Sequence, residues 1–317
     1  MSRVSVIIPS WNGRHLLPFC LESLRRQKPA VSEVVVVDNG SSDGTTGWLR
    51  RMYPEVRLLE LGANTGFAGA VNLGIAATTG ELVLVLNNDA ALSPPYAGRL
   101  AGFLVEHPDA AACQGRVLRH NDPTVIDSLG IRFDPLMRAF QIGHGRRDAG
   151  PAPDPLEVEG VSACAALYRR AALDRVADPG RPPGIFDPGF FAYYEDVDLA
   201  LRLKAAGWRA FLLPDVSCEH VGSATGIPDS MRKAYRLGRN YVAYLARHAG
   251  AGGLARMAPR LLLSSLRRLA TLPLHPRRDL AVLAGEAAAL PRLPAALGKG
   301  RRDRRHTGKR GPTAPRA

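Results

Sequence analysis

The sequence predicts an α/β protein with a mostly parallel central sheet covered by helices. Three observations support this class. Short runs of β-branched and other apolar residues alternate with helical patterns over the first 90 residues. These runs show no polar alternation, which is typical of strands buried on both faces of a sheet. Each run also stops at a polar, glycine-rich segment, at the edge where open α/β sheets bind ligands.

The elements of this first part follow a simple order. Apolar residues recur at helical spacing in the first helix, at Leu17, Cys20, Leu21 and Leu24. The predicted order is strand Val4–Ile8, helix Leu16–Arg26, strand Glu33–Val37, helix Thr45–Met52, strand Val56–Leu61, helix Gly66–Ala77 and strand Leu82–Leu86. A β-α-β-α-β-α-β order predicts parallel strands joined by crossover helices.

The rest of the chain is less regular. Prolines, glycines and charges are scattered through residues 92–160, which predicts irregular connections and short strands. Beyond residue 227 the patterns predict basic amphipathic helices, including Met231–Ala249 and Leu254–Thr271. Residues 298–317 are rich in Gly, Arg and Pro and nearly lack apolar side chains, so we expect them to be disordered.

The basic charge is concentrated in the C-terminal part. The chain has 317 residues, 46% of them apolar, which is enough for a large core, and a formal net charge of +13. Residues 1–227 hold 22 Lys and Arg against 25 Asp and Glu, whereas residues 228–317 hold 20 against 4. This +16 excess favours an anionic partner for the C-terminal part.

Cysteine usage and the N-terminal sequence indicate the cytoplasm. Four cysteines lie far apart, without a CxxC pair or metal-ligand spacing, and are interpreted as buried or incidental thiols. The chain is strand-like from Val4, so we expect no signal peptide. It has no charge-free apolar run of about 18 residues, so we expect no transmembrane helix.

Polar loops follow the four predicted strands at one edge of the sheet. They cover residues 9–13, 38–44, 62–66 and 87–89, and each contains Asn, Asp or Gly. Any one such loop is equally well explained as a turn or a helix cap. Four of them on one edge predict a shared polar site.

Candidate chemistry lies at residues 87–89 and again near residue 195. Asp89 follows an apolar strand, where a carboxylate can hold a hard cation against a diphosphate, although strand-end carboxylates are common. Asn87 and Asn88 are neutral and suit sugar or ribose hydroxyls. His220 lies near a strand end, and from the residues alone a structural role is favoured over metal binding.

The second cluster is acidic and follows an aromatic run. Glu195, Asp196 and Asp198 stand where a helix is predicted to begin, so one of them is expected to cap it, more naturally Asp198 or Glu195. Crowded carboxylates behind aromatic walls raise one another's pKa. This arrangement suits a general base near neutral pH.

Six motifs in order resemble family 2 glycosyltransferases, most closely their rhamnosyltransferase-like branch. They are Ser5–Gly13 (SVIIPSWNG), Val37–Thr45 (VDNGSSDGT), Asn64–Ala68 (NTGFA), Asn72–Gly74 (NLG), Leu86–Asp89 (LNND) and Tyr194–Leu199 (YEDVDL). The resemblance covers about residues 3–240. Each motif is weak alone, and the six in order are specific together. The fold it implies is GT-A, a Rossmann-like, mostly parallel sheet flanked by helices, with a C-terminal helical extension.

The resemblance implies a role for each matching residue. Residues implied to bind the nucleotide sugar are Pro9, Asn12, Asp38, Asn64, Gly66, Asn72, Asn87 and Asn88, with Asp38 accepting from a pyrimidine N–H. Asp89 and His220 are implied to bind the metal, Asp196 to be the catalytic base and Glu195 to face the acceptor. Many relatives have Asp-X-Asp where this chain has Asn87-Asn88-Asp89, so the first aspartate is absent.

These roles imply a metal-dependent inverting glycosyltransferase. Asp196 would deprotonate an acceptor hydroxyl, while Mg2+ or Mn2+ stabilises the leaving nucleoside diphosphate. The expected donor is dTDP-rhamnose or a UDP-sugar, and the expected acceptor is a glycan or polyprenyl-linked glycan in cell-envelope polysaccharide synthesis. We expect a catalytic domain over residues 1–227, with a nucleotide-sugar half (1–90) and an acceptor half (91–227), then a helical extension (228–297) and a disordered tail (298–317).

Other classes explain fewer features. A nicotinamide dehydrogenase would need G-x-G-x-x-G in the first turn, which here reads Pro-Ser-Trp-Asn-Gly. A nucleotidyltransferase would need a basic glycine-rich first loop, which is missing. A nucleic-acid-binding protein is suggested by the basic C-terminal segment, but that segment lacks interleaved stacking aromatics and a reading motif.

An anionic membrane is the more natural partner of the basic segment, and no nucleic acid is expected. In residues 231–249, arginines alternate with apolar residues so that a helix could turn one face to lipid. The alternative is that this helix packs on the core and only later helices touch lipid. In either case we expect a peripheral enzyme at the inner face of the cell membrane.

Overall fold

The computed structural model describes residues 2–178, 180, 184–222 and 231–308, with side chains up to residue 304. Its strands are β1 (Val4–Ser10), β2 (Glu33–Asp38), β3 (Arg57–Glu60), β4 (Leu82–Leu86), β5 (Ala90–Leu92), β6 (Ala110–Arg119), β7 (Asp122–Ser128), β8 (Ile131–Phe133), β9 (Ala139–Gln141), β10 (Leu156–Val158), β11 (Ala165–Arg169) and β12 (Arg209–His220). Its helices are α1 (Leu17–Arg25), α2 (Thr45–Met52), α3 (Gly66–Ala76), α4 (Tyr96–Glu106), α5 (Arg170–Val176), α6 (Glu195–Ala205), α7 (Met231–Thr271), α8 (Pro276–Ala289) and α9 (Leu293–Gly308).

The predicted parallel half of the sheet is confirmed. Strand β1 pairs in parallel with β2 on one side and β4 on the other, and β3 extends the sheet beyond β2. Each connection is one of the predicted helices α1, α2 and α3, within a residue or two of its expected bounds. The strands therefore end at one edge, which brings the four polar loops together.

The second half of the sheet is mixed. Strand β11 runs antiparallel between β4 and β6, and β6 pairs in parallel with the long strand β12. The short strand β5 pairs antiparallel with the end of β12, so that Ala90 lies opposite His220. This pairing brings together two chain segments that are far apart in sequence.

The sheet is covered on both faces, as the continuous apolar strands predict. Neighbouring residues of β1 point into opposite cores, with Ile8 in one and Ile7 in the other. Leu84 and Val85 of β4 divide in the same way, and all four side chains are fully buried. The four cysteines are free and buried, in agreement with the sequence interpretation.

The first part of α7 packs against the segment around the start of α6. Tyr244 and Leu245 are buried in a third apolar cluster together with Phe190 and Val197. The two predicted helices form one long element with a kink at Gly250, whose φ of 66° favours glycine. The structure therefore supports the alternative in which residues 231–249 pack on the core, and the lipid-facing assignment of that helix is wrong.

Helix α8 lies very close to α7 because small residues stand at the contact. A side chain on Gly285 would lie 2.0 Å from the Tyr235 carbonyl oxygen, and one on Gly238 would lie 2.3 Å from that of Val282. Within the described residues, 276–304 form one helical stretch long and apolar enough, by length and composition, to cross a membrane. From the sequence we expected no helical stretch of this length and composition.

The expected disorder from residue 298 is wrong for residues 298–308, which continue α9. Tertiary packing explains the difference, because composition alone favours disorder there. Gly300 fits against the Arg247 carbonyl, where a side chain would lie 1.9 Å away, and Asp303 pairs with the Arg247 guanidinium at 2.7 Å. Residues 309–317 lie outside the described residues.

Candidate active site

Polar groups gather around Asp38 where β1 and β2 end. Asp38 is 2% exposed, and its Oδ2 accepts a hydrogen bond from the Ser41 amide at 3.0 Å. Its Oδ1 has no partner among the described residues. Asn12, at φ 51°, turns the β1 loop and accepts from the Ser42 amide at 2.8 Å. A buried carboxylate oxygen without a donor is costly, so Asp38 suits an N–H group of a ligand.

The loop before α3 is fixed by two asparagines. Asn64 Oδ1 accepts from the Gly66 amide at 2.9 Å and from Asn39 Nδ2 at 3.1 Å. Gly66 has φ 77°, and a side chain there would lie 2.5 Å from the Phe191 carbonyl oxygen. This glycine is therefore required where the loop meets the aromatic run. Asn39 was not selected from the sequence because its role depends on loops that meet only in the fold.

Two further predicted residues are engaged by the protein itself. Asn72 is buried, donating to the Phe186 carbonyl at 2.7 Å and accepting from the Phe186 amide at 2.8 Å. Asn88 is buried and donates to Ser10 Oγ at 3.1 Å. Pro9 lies in β1 opposite Val37. Asn72 has both polar groups of its amide satisfied, and the structure does not bring it to the polar groups around Asp38 as a free ligand group.

Asp89 and His220 meet where β5 pairs with β12. The backbone bond from Val221 to the Asp89 carbonyl, at 2.9 Å, fixes the two segments. His220 Nε2 lies 3.3 Å from Asp89 Oδ1 and 3.4 Å from Asn87 Nδ2. Burial lowers the pKa of His220, but its bonds to two carboxylates outweigh burial and raise the pKa to about 10.

Asp127, near the end of β7, holds the other side of the His220 ring. Its Oδ2 lies 2.8 Å from His220 Nδ1. Burial alone would raise the pKa of Asp127, but the bond to His220 outweighs it and keeps the pKa below its usual value. Sequence analysis missed Asp127 because it stands in an irregular region with no motif.

The Asp89–His220 pair fits a divalent cation as two ligands. Within the described part of the chain, no group of three or more His, Cys, Asp or Glu side chains is arranged to hold a metal. His220 nonetheless has the geometry of many metal-binding histidines, since a carboxylate fixes one ring nitrogen and leaves the other facing Asp89. Oxygen ligands from a diphosphate would complete such a site.

The predicted base, Asp196, lies at the start of α6. Its Oδ1 accepts from the Val197 amide at 2.8 Å and its Oδ2 from the Ala163 amide at 3.3 Å. Burial raises the pKa of Asp196. The adjacent Glu195 is buried with Oε2 unpartnered among the described residues, and burial together with the Asp196 charge raises its pKa far above normal.

The capping role expected for Asp198 or Glu195 is wrong. Helix α6 begins after Tyr194 in a left-handed conformation, with no side-chain cap. Asp198 is instead fully buried and pairs with Arg202 at 2.9 Å, Arg247 at 3.0 Å and His248 at 2.8 Å. Burial raises its pKa, but these cations outweigh burial and hold the pKa well below normal. A carboxylate that is already bound by two buried arginines and a histidine is not available to bind helix amides.

The aromatic loop, residues 190–194, enters α6 in an unusual conformation. Phe191, Tyr193 and Tyr194 have φ values of 66°, 70° and 73°. Side-chain-bearing residues rarely adopt this region, at a cost of about 1–3 kcal/mol each. The loop therefore needs support from other parts of the structure.

Three contacts join the parts of the site. The Phe191 carbonyl lies against Gly66 in the loop before α3, residues 62–66. The Asn87 amide donates to the Cys164 carbonyl at 2.8 Å, one residue after the Ala163 amide that binds Asp196. Asp196 also lines a cavity of about 440 Å³ between α6 and the sheet, together with Tyr168 and Trp208. The structure thus brings the polar groups around Asp38, the Asp89–His220 pair and the acids Glu195 and Asp196 to one edge of the sheet.

Comparisons with known proteins identify the family of the chain. A model of "Glycosyl transferase family 2" matches residues 5–177. The chain is 31% identical to the N-acetylglucosaminyl-diphospho-decaprenol L-rhamnosyltransferase of Mycobacterium tuberculosis, over 81% of this chain and 91% of that protein.

Two solved structures share the fold. GalNAc-T7 with UDP, GalNAc and Mn2+ is similar with a TM-score of 0.62 and 14% identity, over 79% of this chain and 49% of that chain. Mannosyltransferase PcManGT from Pyrobaculum calidifontis, in complex with GDP-Man and Mn2+, has a TM-score of 0.55 and 21% identity, over 98% and 76% of the two chains. The fold is that of the GT-A glycosyltransferases. The chain belongs to glycosyltransferase family 2 and is rhamnosyltransferase-like.

Proposed function

We propose that this enzyme transfers a sugar from a nucleoside-diphosphate sugar to a polyprenyl-linked glycan in cell-envelope polysaccharide synthesis, with inversion at the anomeric carbon. Rhamnose from dTDP-rhamnose is the first candidate donor sugar, because the mycobacterial relative is named a rhamnosyltransferase that acts on a decaprenol-linked acceptor. The observation that carries the proposal is the convergence of Asp38, the Asp89–His220 pair and Asp196 at one sheet edge.

The donor nucleotide binds beside the polar groups around Asp38, where β1 and β2 end. The free Oδ1 of Asp38 accepts an N–H of a pyrimidine base, which satisfies the buried oxygen. Asp89 and His220 would hold Mg2+ or Mn2+, which supplies charge stabilisation for the leaving diphosphate when bound. Asp127 keeps Nε2 of His220 turned towards Asp89.

Asp196 acts as the general base. Its raised pKa brings the carboxylate closer to the working pH, where it accepts the proton of an acceptor hydroxyl more readily than an ordinary aspartate. Glu195 has a still more strongly favoured neutral form, so it can donate a hydrogen bond to the acceptor. Direct attack of the acceptor on the donor inverts the anomeric centre without a covalent enzyme intermediate.

A matched transfer assay tests this function. Purified enzyme is incubated with N-acetylglucosaminyl-diphospho-polyprenol and, separately, dTDP-rhamnose, UDP-N-acetylglucosamine or GDP-mannose, each with Mn2+, Mg2+ or EDTA. We expect product from one donor, loss of product with EDTA, and an inverted anomeric configuration by NMR. Transfer in EDTA at the full rate would contradict the metal role, and retention would contradict the mechanism. No transfer from any donor would contradict the proposed substrates.

We also propose that the second part of α7 and helix α8 lie on an anionic membrane. Large apolar side chains are exposed there, and they are Leu262, Leu263, Leu266, Leu269, Leu274 and Leu280, each between 48% and 73% exposed. Exposed arginines such as Arg256, Arg260 and Arg267 accompany them. Leucines facing acyl chains beside arginines facing lipid phosphates are typical of interfacial helices. Such a position presents the active site to a polyprenyl-linked acceptor at the inner face of the membrane.

A further inference from the structure

The aromatic loop is fastened by one side chain of the C-terminal helix α7. Asn240 is 1% exposed, and its Nδ2 donates to the carbonyl oxygens of Phe190 at 3.0 Å, Ala192 at 2.9 Å and Tyr193 at 2.7 Å. One amide group thus gathers three carbonyls from a stretch of four residues. Because the three carbonyls belong to nearby residues, these bonds hold the backbone of the whole stretch and not one atom of it.

The preceding residue on α7 completes this clamp. Arg239 Nη2 donates to the Gly189 carbonyl at 3.1 Å and to the Phe190 carbonyl at 2.9 Å. The same guanidinium donates to Asn240 Oδ1, at 2.9 Å from Nε and 2.8 Å from Nη2. Arg239 therefore orients the Asn240 amide so that its NH2 group faces the loop.

The segment held by Asn240 and Arg239 adjoins the acids at its end and contacts the start of α3. Residues 191, 193 and 194 have positive φ, and the acids Glu195 and Asp196 follow directly. On the other side, the Phe191 carbonyl accepts a bond from the Ala68 amide at 3.4 Å, at the start of α3. A loop in this unfavourable conformation relaxes if its external bonds are removed. Its relaxation would move the acids relative to the loop before α3.

We propose that Asn240 is a positioning residue for glycosyl transfer, holding residues 190–194 so that Asp196 faces the donor. The hydrogen bonds that the Asn240 side chain makes to the described residues go to the loop backbone and to Arg239, so Asn240 acts through the backbone of the aromatic loop. The inference rests on the proposed function, because the property affected is the alignment of base and donor. A displacement of about 1 Å at a reacting group can lower a rate about 100-fold.

The test compares Asn240→Asp and Asn240→Ala with a matched control on the next residue. Asn240→Asp keeps the size but removes the donors, and Arg239→Met removes the guanidinium that binds Asn240 Oδ1 and the Gly189 and Phe190 carbonyls while keeping Asn240 itself. Tyr241→Phe is the control, because it deletes one bond from α7, to the Leu136 carbonyl at 2.9 Å, that does not involve the loop. Each variant is assayed for kcat, donor KM, melting temperature and hydrogen exchange of residues 188–196.

We expect both Asn240 variants to lose at least tenfold in kcat with donor KM changed less than threefold. The Arg239 variant should show a smaller loss, and Tyr241→Phe should keep near-wild-type kcat. The Phe190, Phe191 and Ala192 amides donate to the carbonyls of Asp187, Pro188 and Phe190, and their exchange should rise in the Asn240 variants but not in the control.

Unchanged exchange in the Asn240 variants would show that the clamp does not hold the loop and would overturn the inference. Faster exchange with unchanged kcat in folded protein would overturn it too, because loop order would then not matter for transfer. A wild-type enzyme without transfer activity would instead contradict the proposed function. The exchange experiment would then still decide whether Asn240 fixes the loop.

Discussion

The two sides of the active site are held by different parts of the chain. The metal-type side, Asp89 with His220 and Asp127, is fixed by backbone pairing within the sheet, where Ala90 lies opposite His220. The acid side is fixed by helix α7, which binds the aromatic loop and Asp198. The Asp89–His220 pair is therefore held by strand pairing, whereas the base depends on a helix more than 40 residues further along the chain.

The match to the family model covers only part of the active site. It ends at residue 177, before Asp196, His220 and Asn240. Apart from Val4, the strands β1 to β11 and the loops that follow β1 to β4 lie within the matched part, whereas β12 with His220 lies beyond it. The residues that position Asp196 lie beyond the matched part. Their roles are inferred from their contacts in this structure.

The largest expected effect is on the acid side. Asp196→Asn removes the base without changing the size of the side chain, so we expect kcat to fall about 10²- to 10⁴-fold. Binding of the donor nucleotide, measured by calorimetry with UDP and dTDP, should stay within about threefold of wild type. Near-wild-type turnover would show that another group takes the proton.

The link between α6 and α7 should dominate stability. Asp198→Asn removes the buried carboxylate that Arg202, Arg247 and His248 share, while Arg247 keeps its pairs with Asp187 and Asp303, so we expect a loss of about 3 kcal/mol of unfolding free energy. Asp215→Asn is the matched control, because its pair with Arg99 is about one third exposed and such pairs contribute about 0–1 kcal/mol. Urea unfolding measures both.

Acid titration sharpens this prediction. The pKa of Asp198 is lowered in the fold, so its stabilising effect is complete above the pKa of the unfolded carboxyl, about 3.9, and declines as pH falls below that value. The stability difference between wild type and Asp198→Asn should shrink as the pH falls below about 4. A difference that grows on acidification would contradict the ion cluster.

The sheet side should respond to Asp127 through metal affinity. Asp127→Asn removes the carboxylate that orients His220, so we expect Mn2+-dependent UDP binding to weaken about 10- to 100-fold. Asp89→Ala and His220→Ala should weaken it at least as much. Glu219→Gln is the control, since its bond to His120 is exposed and lies outside the pair. Unchanged metal dependence in all three site variants would rule out this metal site.

The sequence predicts the parallel half of the fold well because its signals are local. Periodicity marks each strand and helix up to Leu86, and their order implies a parallel sheet. The long strands β6 and β12 were not given bounds, although a strand end was inferred near His220, and their pairing was not predicted because it joins segments about 100 residues apart. Helix α9 was missed for a related reason, as its composition favours disorder and its packing on α7 does not appear in the sequence.

Site residues follow the same rule. Motifs pointed to Asp89, His220 and Asp196, which the structure brings to one sheet edge. Asp127 and Asn240 carry no motif, because each acts through a partner that is distant in sequence, at 93 and 47 to 50 residues. A buried asparagine in an amphipathic helix is the signal that could have found Asn240, since a polar group without exposure needs a specific partner.

The smallest expected effect concerns the exposed leucine face, the part of the C-terminal helices that supports neither side of the active site. Leu266 is 51% exposed on the second part of α7. Leu266→Ser removes a partly inserted side chain, which weakens membrane binding by about 1 kcal/mol, or about fivefold. Met52, 57% exposed on α2, provides the control as Met52→Ser, because α2 belongs to the sheet side and faces no lipid in this proposal. Co-sedimentation with vesicles of phosphatidylglycerol and phosphatidylcholine, or of phosphatidylcholine alone, measures both variants at rising salt. Binding should prefer the anionic vesicles, decline with salt as arginine contacts are screened, and fall only for the Leu266 variant. Equal loss in both variants, or equal binding to neutral vesicles, would show that these leucines and arginines do not form the membrane-facing surface.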